Sequence, residues 1–387
     1  MTYFRIFALL LFSWHFVQAQ FTSSLDVSTW YDDNVYRSPE PEQDILQDIS
    51  IGLNYTPDKS AMNYFYNGSF LLYRNANTRN FSLHSFGLSY NKSFGNEDQN
   101  DFYFGGNWTM RLNGDDYNYY DYNQLYLYAN FRFDLDWAFL RAGYNYRYRG
   151  YTNIPDLTNY RHYLFVQANK SFETRTTIIL ETDLGYKSFA GQETISGSSG
   201  GGHGRGRMSD YYSEYSATEY NEIPSLSQVV LLARVSQSVT DKVGIYVQYR
   251  TQLSPTKQTS FVNAGDYFQD EELFDDPFSY EAQSYSSQLT WVLPWSARLQ
   301  IGGVMENKQY ISEQAFTSAE DTVGLGGNRV DDRQSYFINL SKTLRIDKKW
   351  MESLHFYLNY NYIWNRSNSY WYDYKNAVIG AGVNWSF

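Results

Sequence analysis

No cysteine occurs anywhere in the 387 residues. Disulfide staples, thiolate chemistry and a lipid-bearing cysteine are thereby excluded, so the folded chain holds together through packing and hydrogen bonds alone. Histidine is scarce as well, with 5 residues, and proline with 8. Beyond Val17 there is no long apolar run, and the mean hydropathy of −0.57 excludes a helical membrane protein. Helical periodicity is almost missing too. A net charge of −11 and a pI near 5.0 argue against nucleic acid as a partner.

Aromatic residues are what the chain has in excess: 39 Tyr, 26 Phe and 10 Trp, or 19% of the sequence. Soluble cores draw more on Leu, Ile and Val, whereas Tyr and Trp favour positions with one end apolar and the other wet. A membrane interface offers many such positions. Negative mean hydropathy is compatible with a membrane wall made of strands, because there each apolar residue alternates with a polar one.

At the N-terminus, Arg5 precedes the apolar run from Ile6 to Val17, and Val17 and Ala19 are small residues ahead of a cut. This reads as a secretory signal peptide, residues 1–19, cleaved after Ala19, with residues 20–387 forming a single domain.

Segments of about ten residues with strict alternation recur along the rest of the chain. In "LHFYLNYNYIWN", Leu354, Phe356, Leu358, Tyr360, Tyr362 and Trp364 fall on one face, and His355, Tyr357, Asn359, Asn361 and Asn365 on the other. "QLYLYANFRF" and "FLRAGYNYRYR" repeat the pattern. Connections alternate between short ones, such as those near Leu135, Glu173, Asp241, Pro294 and Lys348, and longer polar ones, such as Ala190 to Pro224, Pro255 to Phe278 and Ser312 to Asp332. A secreted sandwich would also alternate, but with strands of roughly five or six residues and two sheets packed together. The reading is therefore an all-β fold: an up-and-down antiparallel transmembrane β-barrel of about sixteen strands (roughly fourteen to eighteen), with short periplasmic turns and long extracellular loops. Its place is the outer membrane of a Gram-negative bacterium, its surroundings outer-membrane lipid.

The last strand, "AVIGAGVNWSF", keeps Ala377, Ile379, Ala381, Val383, Trp385 and Phe387 on one face. It is expected to close the wall against the first strand. Its residues Val383, Trp385 and Phe387 resemble the C-terminal signal of Gram-negative outer-membrane proteins, which implies the barrel-assembly machinery as a partner.

If the apolar faces meet lipid, the other faces line a lumen. The inward candidates are Arg111, Arg132, Arg141, Asn145, Arg147 and Arg149 on one arc, then Glu181 and Asp183, and further round Arg250 and Glu306. Two readings stay open. Arginines and carboxylates pair across neighbouring strands and stiffen a wide barrel, which their nearness in chain order favours; or the arginines form a ladder that guides anionic or hydroxyl-rich solutes. Inward Tyr126, Tyr128, Tyr357, Asn359 and Asn361 suit a saccharide track, or simply fill space.

The loops carry weaker signals. "SGSSGGGHGRGRMSDYYSEYS" reads as a flexible or constricting loop in which His203, Arg205 and Arg207 offer an anion site. "GDYFQDEELFDDPF" gathers Asp266, Asp270, Glu271, Glu272, Asp275 and Asp276 without EF-hand spacing, and reads as a solvated acidic loop. Catalysis is not expected: His84 in "SLHSF" lies next to Ser82 and Ser85, and neighbours in a strand point to opposite faces. No cofactor and no metal are expected.

"YDDNVYRSPE", Tyr31 to Glu40, resembles the first-strand signature of outer-membrane β-barrel porins often encoded beside exopolysaccharide synthesis and export systems. The cleavage context and heavy tyrosine usage also resemble Bacteroidetes outer-membrane proteins. The resemblance implies passage or export of saccharides. The functional expectation is a porin-like channel for passive diffusion of small polar solutes, saccharides among them. The alternatives are an outer-membrane component of exopolysaccharide or protein secretion, and a structural or adhesive barrel with an occluded lumen. The sequence leaves the oligomeric state open.

Overall fold

The computed structural model describes residues 21–190, 225–256, 276–348 and 351–387. The stretch read as a signal peptide, the glycine-rich loop with His203, Arg205 and Arg207, and the acidic loop up to Asp275 lie outside the described residues.

Sixteen strands form one closed antiparallel barrel. In chain order they are β1 (Phe21–Asp32), β2 (Asp44–Tyr55), β3 (Met62–Tyr73), β4 (Phe81–Phe94), β5 (Asn100–Asn113) and β6 (Tyr122–Asp134). There follow β7 (Phe139–Tyr151), β8 (Asn159–Ser171), β9 (Thr176–Phe189), β10 (Leu226–Thr240) and β11 (Val243–Leu253). The wall is completed by β12 (Tyr280–Val292), β13 (Arg298–Gln314), β14 (Asn328–Lys348), β15 (Met351–Ser367) and β16 (Tyr374–Ser386). Each strand pairs with its chain neighbours, and β1 pairs with β16 from Ser24↔Ser386 to Asp32↔Val378. No helix among the described residues is long and apolar enough to cross a membrane; the strands do the spanning.

Connections sort to the two rims. One rim carries the turns at 95–99, 135–138, 172–175, 241–242 and 293–297. The other carries the connections at 33–43, 114–121, 152–158 and 315–327, together with the two that run through undescribed residues. The β13–β14 loop is shorter than its polarity predicts: alternation in both strands continues past Ser312 and before Asp332, so only 315–327 lies outside the ladder.

The register gives each strand one outward and one inward face. Outward lie the exposed apolar side chains, among them Phe86, Trp108, Leu127, Leu164, Leu180, Val247 and Ile379. Trp137 and Trp295 stand exposed at the short-turn rim, positions that suit an interfacial aromatic belt. A band of large apolar side chains around a closed wall is tolerable only against lipid.

The inward face departs from its expected polarity near the long-loop rim. Leu46, Tyr73 and Phe81 are buried there with Val35 of the β1–β2 connection, and Trp30, Leu71 and Leu83 pack against them. Loop residues fold back onto this patch and give it a local core.

Candidate functional site

The arc from β5 to β9 carries most of the inward cations. Register pairs Arg132 with Arg141, Arg147 with Arg161, and Arg149 with both Gln124 and Asn159. Like charges directly opposite each other disfavour a strand pair, so each guanidinium needs local compensation. Arg132 Nη1 forms an ion pair with Asp101 Oδ2 at 2.9 Å. Arg147 Nη2 donates to Asn159 Oδ1 at 3.3 Å, and Arg149 Nε to Gln124 Oε1 at 3.0 Å. Arg111 Nε donates to Asn113 Oδ1 at 3.2 Å and lies 4.2 Å from the centre of the Phe81 ring. Arg141 faces the Phe165 ring at 6.0 Å. Both ion pairing and amide or ring contacts therefore occur on the arc.

A cavity of about 170 Å³ opens between Tyr126, Asn145, Arg147, Arg161 and Tyr163. Arg161, which the sequence reading did not single out, comes here through its register with Arg147. The signal that finds it is the inward parity of β8, which also turns Tyr163 and Phe165 inward.

The remaining candidates are dispersed. Glu181 accepts from Gln167 Nε2 on β8, and Asp183 lies opposite Phe165 and Val230. Arg250 Nη2 donates to Gln252 Oε1 at 2.9 Å. Glu306 faces Arg333 across β13–β14 and sits 3.6 Å from Lys308 Nζ. Val383, Trp385 and Phe387 point outward at the short-turn end of β16, where Phe387 N donates to Ser23 O at 2.8 Å.

Two loop segments enter the lumen side. Asp276 Oδ2 accepts from Lys187 Nζ at 2.6 Å, and Gln228 Nε2 donates to the Pro277 carbonyl at 2.6 Å. Phe278, 1% exposed, is thereby wedged against Tyr163, with ring centres 6.0 Å apart. On the other side, the "YDDNVYRSPE" stretch is a latch. Asp33 Oδ1 accepts from Ala377 N, Asn34 Nδ2 donates to Ser38 O at 2.8 Å and to Lys375 O at 3.0 Å, and Arg79 Nη1 holds Val35 O at 3.0 Å.

A larger cavity, about 400 Å³, crosses the seam of the barrel. Trp30, Leu46, Leu71, Phe337, Ile363 and Val378 give it apolar walls, and Asp48, Arg37, Arg333, Asn361 and Asn376 give it polar groups.

The expectation that both serines face away from His84 holds for Ser85, which turns inward, but not for Ser82: two residues apart on a strand, His84 and Ser82 share the outward face. His84 Nε2 is 3.2 Å from Ser82 Oγ and Nδ1 is 2.9 Å from Tyr66 Oη. A second outward pair, Tyr144 and His162, meets at 2.6 Å.

Wall, lumen and rims together define a β-barrel of the outer-membrane type. No protein-family model matches the chain, and no curated protein does. Among solved structures it is similar to OccAB1 of Acinetobacter baumannii, at 9% identity and a TM-score of 0.52, over 96% of this chain and 98% of that one. Two others align with lower scores. The outer membrane protein opdK of Pseudomonas aeruginosa has 9% identity and a TM-score of 0.49, over 95% and 98% of the two chains. A loop-deletion mutant of OmpT, an outer membrane protein of Vibrio cholerae, has 12% identity and a TM-score of 0.43, over 95% and 98%.

Proposed function

We propose that the protein is an outer-membrane, porin-like channel for the passive diffusion of small polar solutes, reached through a cleaved signal peptide and the barrel-assembly machinery. The observation that carries this reading is the pairing of an exposed apolar outer face with a cation- and amide-rich inner face that opens into cavities. Diffusion down a gradient needs no cofactor and no covalent chemistry. The inner wall contributes only shape, hydrogen bonds and fixed charge. Arg132, Arg141, Arg147 and Arg149 would bias traffic toward anions, and Tyr126, Asn145, Asn359 and Asn361 toward hydroxylated solutes, saccharides included.

The test is conductance of the mature protein in a planar bilayer. Stable steps in salt support the channel. No steps from a verifiably folded protein overturn it. The second reading, a barrel with an occluded lumen and a structural or adhesive role, draws on the wedging of Phe278 and the Val35 latch against the inner wall. The resemblance of Tyr31–Glu40 keeps a role in exopolysaccharide or protein secretion as a further alternative.

A further inference from the structure

Inward-facing aromatic residues meet glycines directly across the ladder in a repeated way. Trp30 pairs with Gly380, Tyr357 with Gly382, and Phe337 with Gly302. Phe65 pairs with Gly87, Tyr128 with Gly105, and Phe165 with Gly143. In every case the aromatic side chain occupies the space a Cβ on the glycine would take; for Phe337, its Cζ would lie 2.5 Å from a Cβ at Gly302.

The rings therefore lie along the wall instead of standing into the lumen. Two hydrogen bonds fix this orientation. Tyr357 reaches over Gly382 on the neighbouring strand and donates to Asp26 Oδ1 on the strand beyond it, at 2.6 Å. Trp30 Nε1 donates to Ser28 Oγ at 2.8 Å, which ties the indole edge to its own strand. All six aromatics are partly exposed on the lumen side. They range in height from Trp30, near the long-loop end of β1, to Phe65, near the short-turn end of β3.

We propose that these glycine-backed rings are stacking platforms for saccharides, and that the seam cavity is the first binding position on the track. The inference rests on the channel reading above and names its solute class. The C–H faces of a pyranose are apolar and carry partial positive charge, complementary to the negative face of an aromatic ring, while its hydroxyls need planar hydrogen-bonding partners around the edge. The seam cavity supplies both. Trp30 and Phe337 offer the platforms, Asp48 and Asn361 the edge partners, and its volume of about 400 Å³ is that of a small-molecule site. Aromatic cover of glycines also stabilises a sheet, and the leucine variants below separate that role from stacking.

The experiment is current block in planar bilayers by maltohexaose and by cellotetraose, for the whole mature protein and its Trp30→Leu and Phe337→Leu variants. Leucine keeps the glycine covered and removes the platform. Block of the wild-type current, weakened about five- to tenfold in each variant, is expected from the loss of one stacked ring. Phe356→Leu, on the outward face and away from the seam cavity, leaves the block unchanged. A protein that conducts salt but is blocked by neither oligosaccharide overturns the track and leaves the channel standing. Block that survives both leucine variants overturns the role of the rings. Absence of salt conductance from folded protein overturns the channel reading itself.

Discussion

Asn376 donates its side-chain amide to Asp32 Oδ1 at 2.6 Å, joining the two ends of the chain across 344 residues. Both side chains are almost fully buried, at 1% and 0% exposure, and Asp32 also accepts from Asn34 N at 2.8 Å. The pair fastens the seam and the β1–β2 latch at once. Asn376→Leu leaves a buried carboxylate short of a donor, a loss of about 1–3 kcal/mol. The expected outcome is a lower midpoint for heat unfolding, followed by the electrophoretic shift between folded and unfolded barrel. An unchanged midpoint would show that the latch holds without this pair.

Breaking the ion pair between Lys187 and Asp276 should release the Phe278 wedge. Both partners are largely buried, and removing one side of such a pair costs about 3–5 kcal/mol. Asp276→Ala is expected to raise single-channel conductance while the barrel stays folded, because the segment belongs to a connection and not to the wall. Equal conductance in the two proteins would mean the segment does not narrow the path.

The arginine arc separates selectivity from scaffolding. Replacing Arg141, Arg147 and Arg149 together by Ala is expected to move the reversal potential in a salt gradient toward cation preference. Unchanged selectivity with a lower unfolding temperature would assign these side chains to the wall alone.

Asp321 in the β13–β14 loop accepts from the backbone of Thr317 at 2.8 Å, Val323 at 3.1 Å, and Gly324 and Leu325 at 2.9 Å each. These donors hold its carboxyl well below the usual carboxylate range, the Thr317 amide most strongly. A lowered value in the folded loop means its contribution is complete above the ordinary carboxylate pKa and is lost as pH falls through the lowered one. Pepsin should therefore spare the exposed Leu325 region near pH 4 and cut it increasingly at more acid pH. Asp321→Ala should be cut at both. Equal cutting of the wild type at both values would remove the carboxylate from the account.

Charge on the outward face carries a different cost from charge on the inward one. Leu164→Arg, in the middle of β8, is expected to destabilise the membrane-embedded barrel by about 2–4 kcal/mol. Asn67→Arg, inward on β3, should cost far less, and denaturant titration in lipid vesicles compares the two.

Much of the wall was legible because a period of two is written into every strand. Alternation in "LHFYLNYNYIWN" and "QLYLYANFRF" predicted faces that the register of β15 and β6 reproduces. What alternation could not show is which apolar residues turn inward. Leu46 and Leu71 look like lipid-facing positions by type, and only strand pairing places them in the lumen; Val378, by contrast, falls opposite Ile379 by alternation alone. The glycine–aromatic pairs are illegible for the same reason, since Trp30 and Gly380 meet only when the barrel closes. Phe278 and Asp276 read as part of an acidic loop, because nothing local records that Lys187 waits for them on β9.

The β1–β16 ladder also sets an order of events. Ser23 and Phe387 exchange backbone hydrogen bonds at 3.3 and 2.8 Å, so one ladder is built from opposite ends of synthesis. Every other strand pair joins chain neighbours and can form locally, whereas this one waits for the longest search the chain must make. Until it forms, two open edges face a solvent of hydrocarbon that offers them no hydrogen bonds. Closing this single ladder therefore satisfies the last unpaired backbone groups of the wall in one step, and no other ladder can substitute for it.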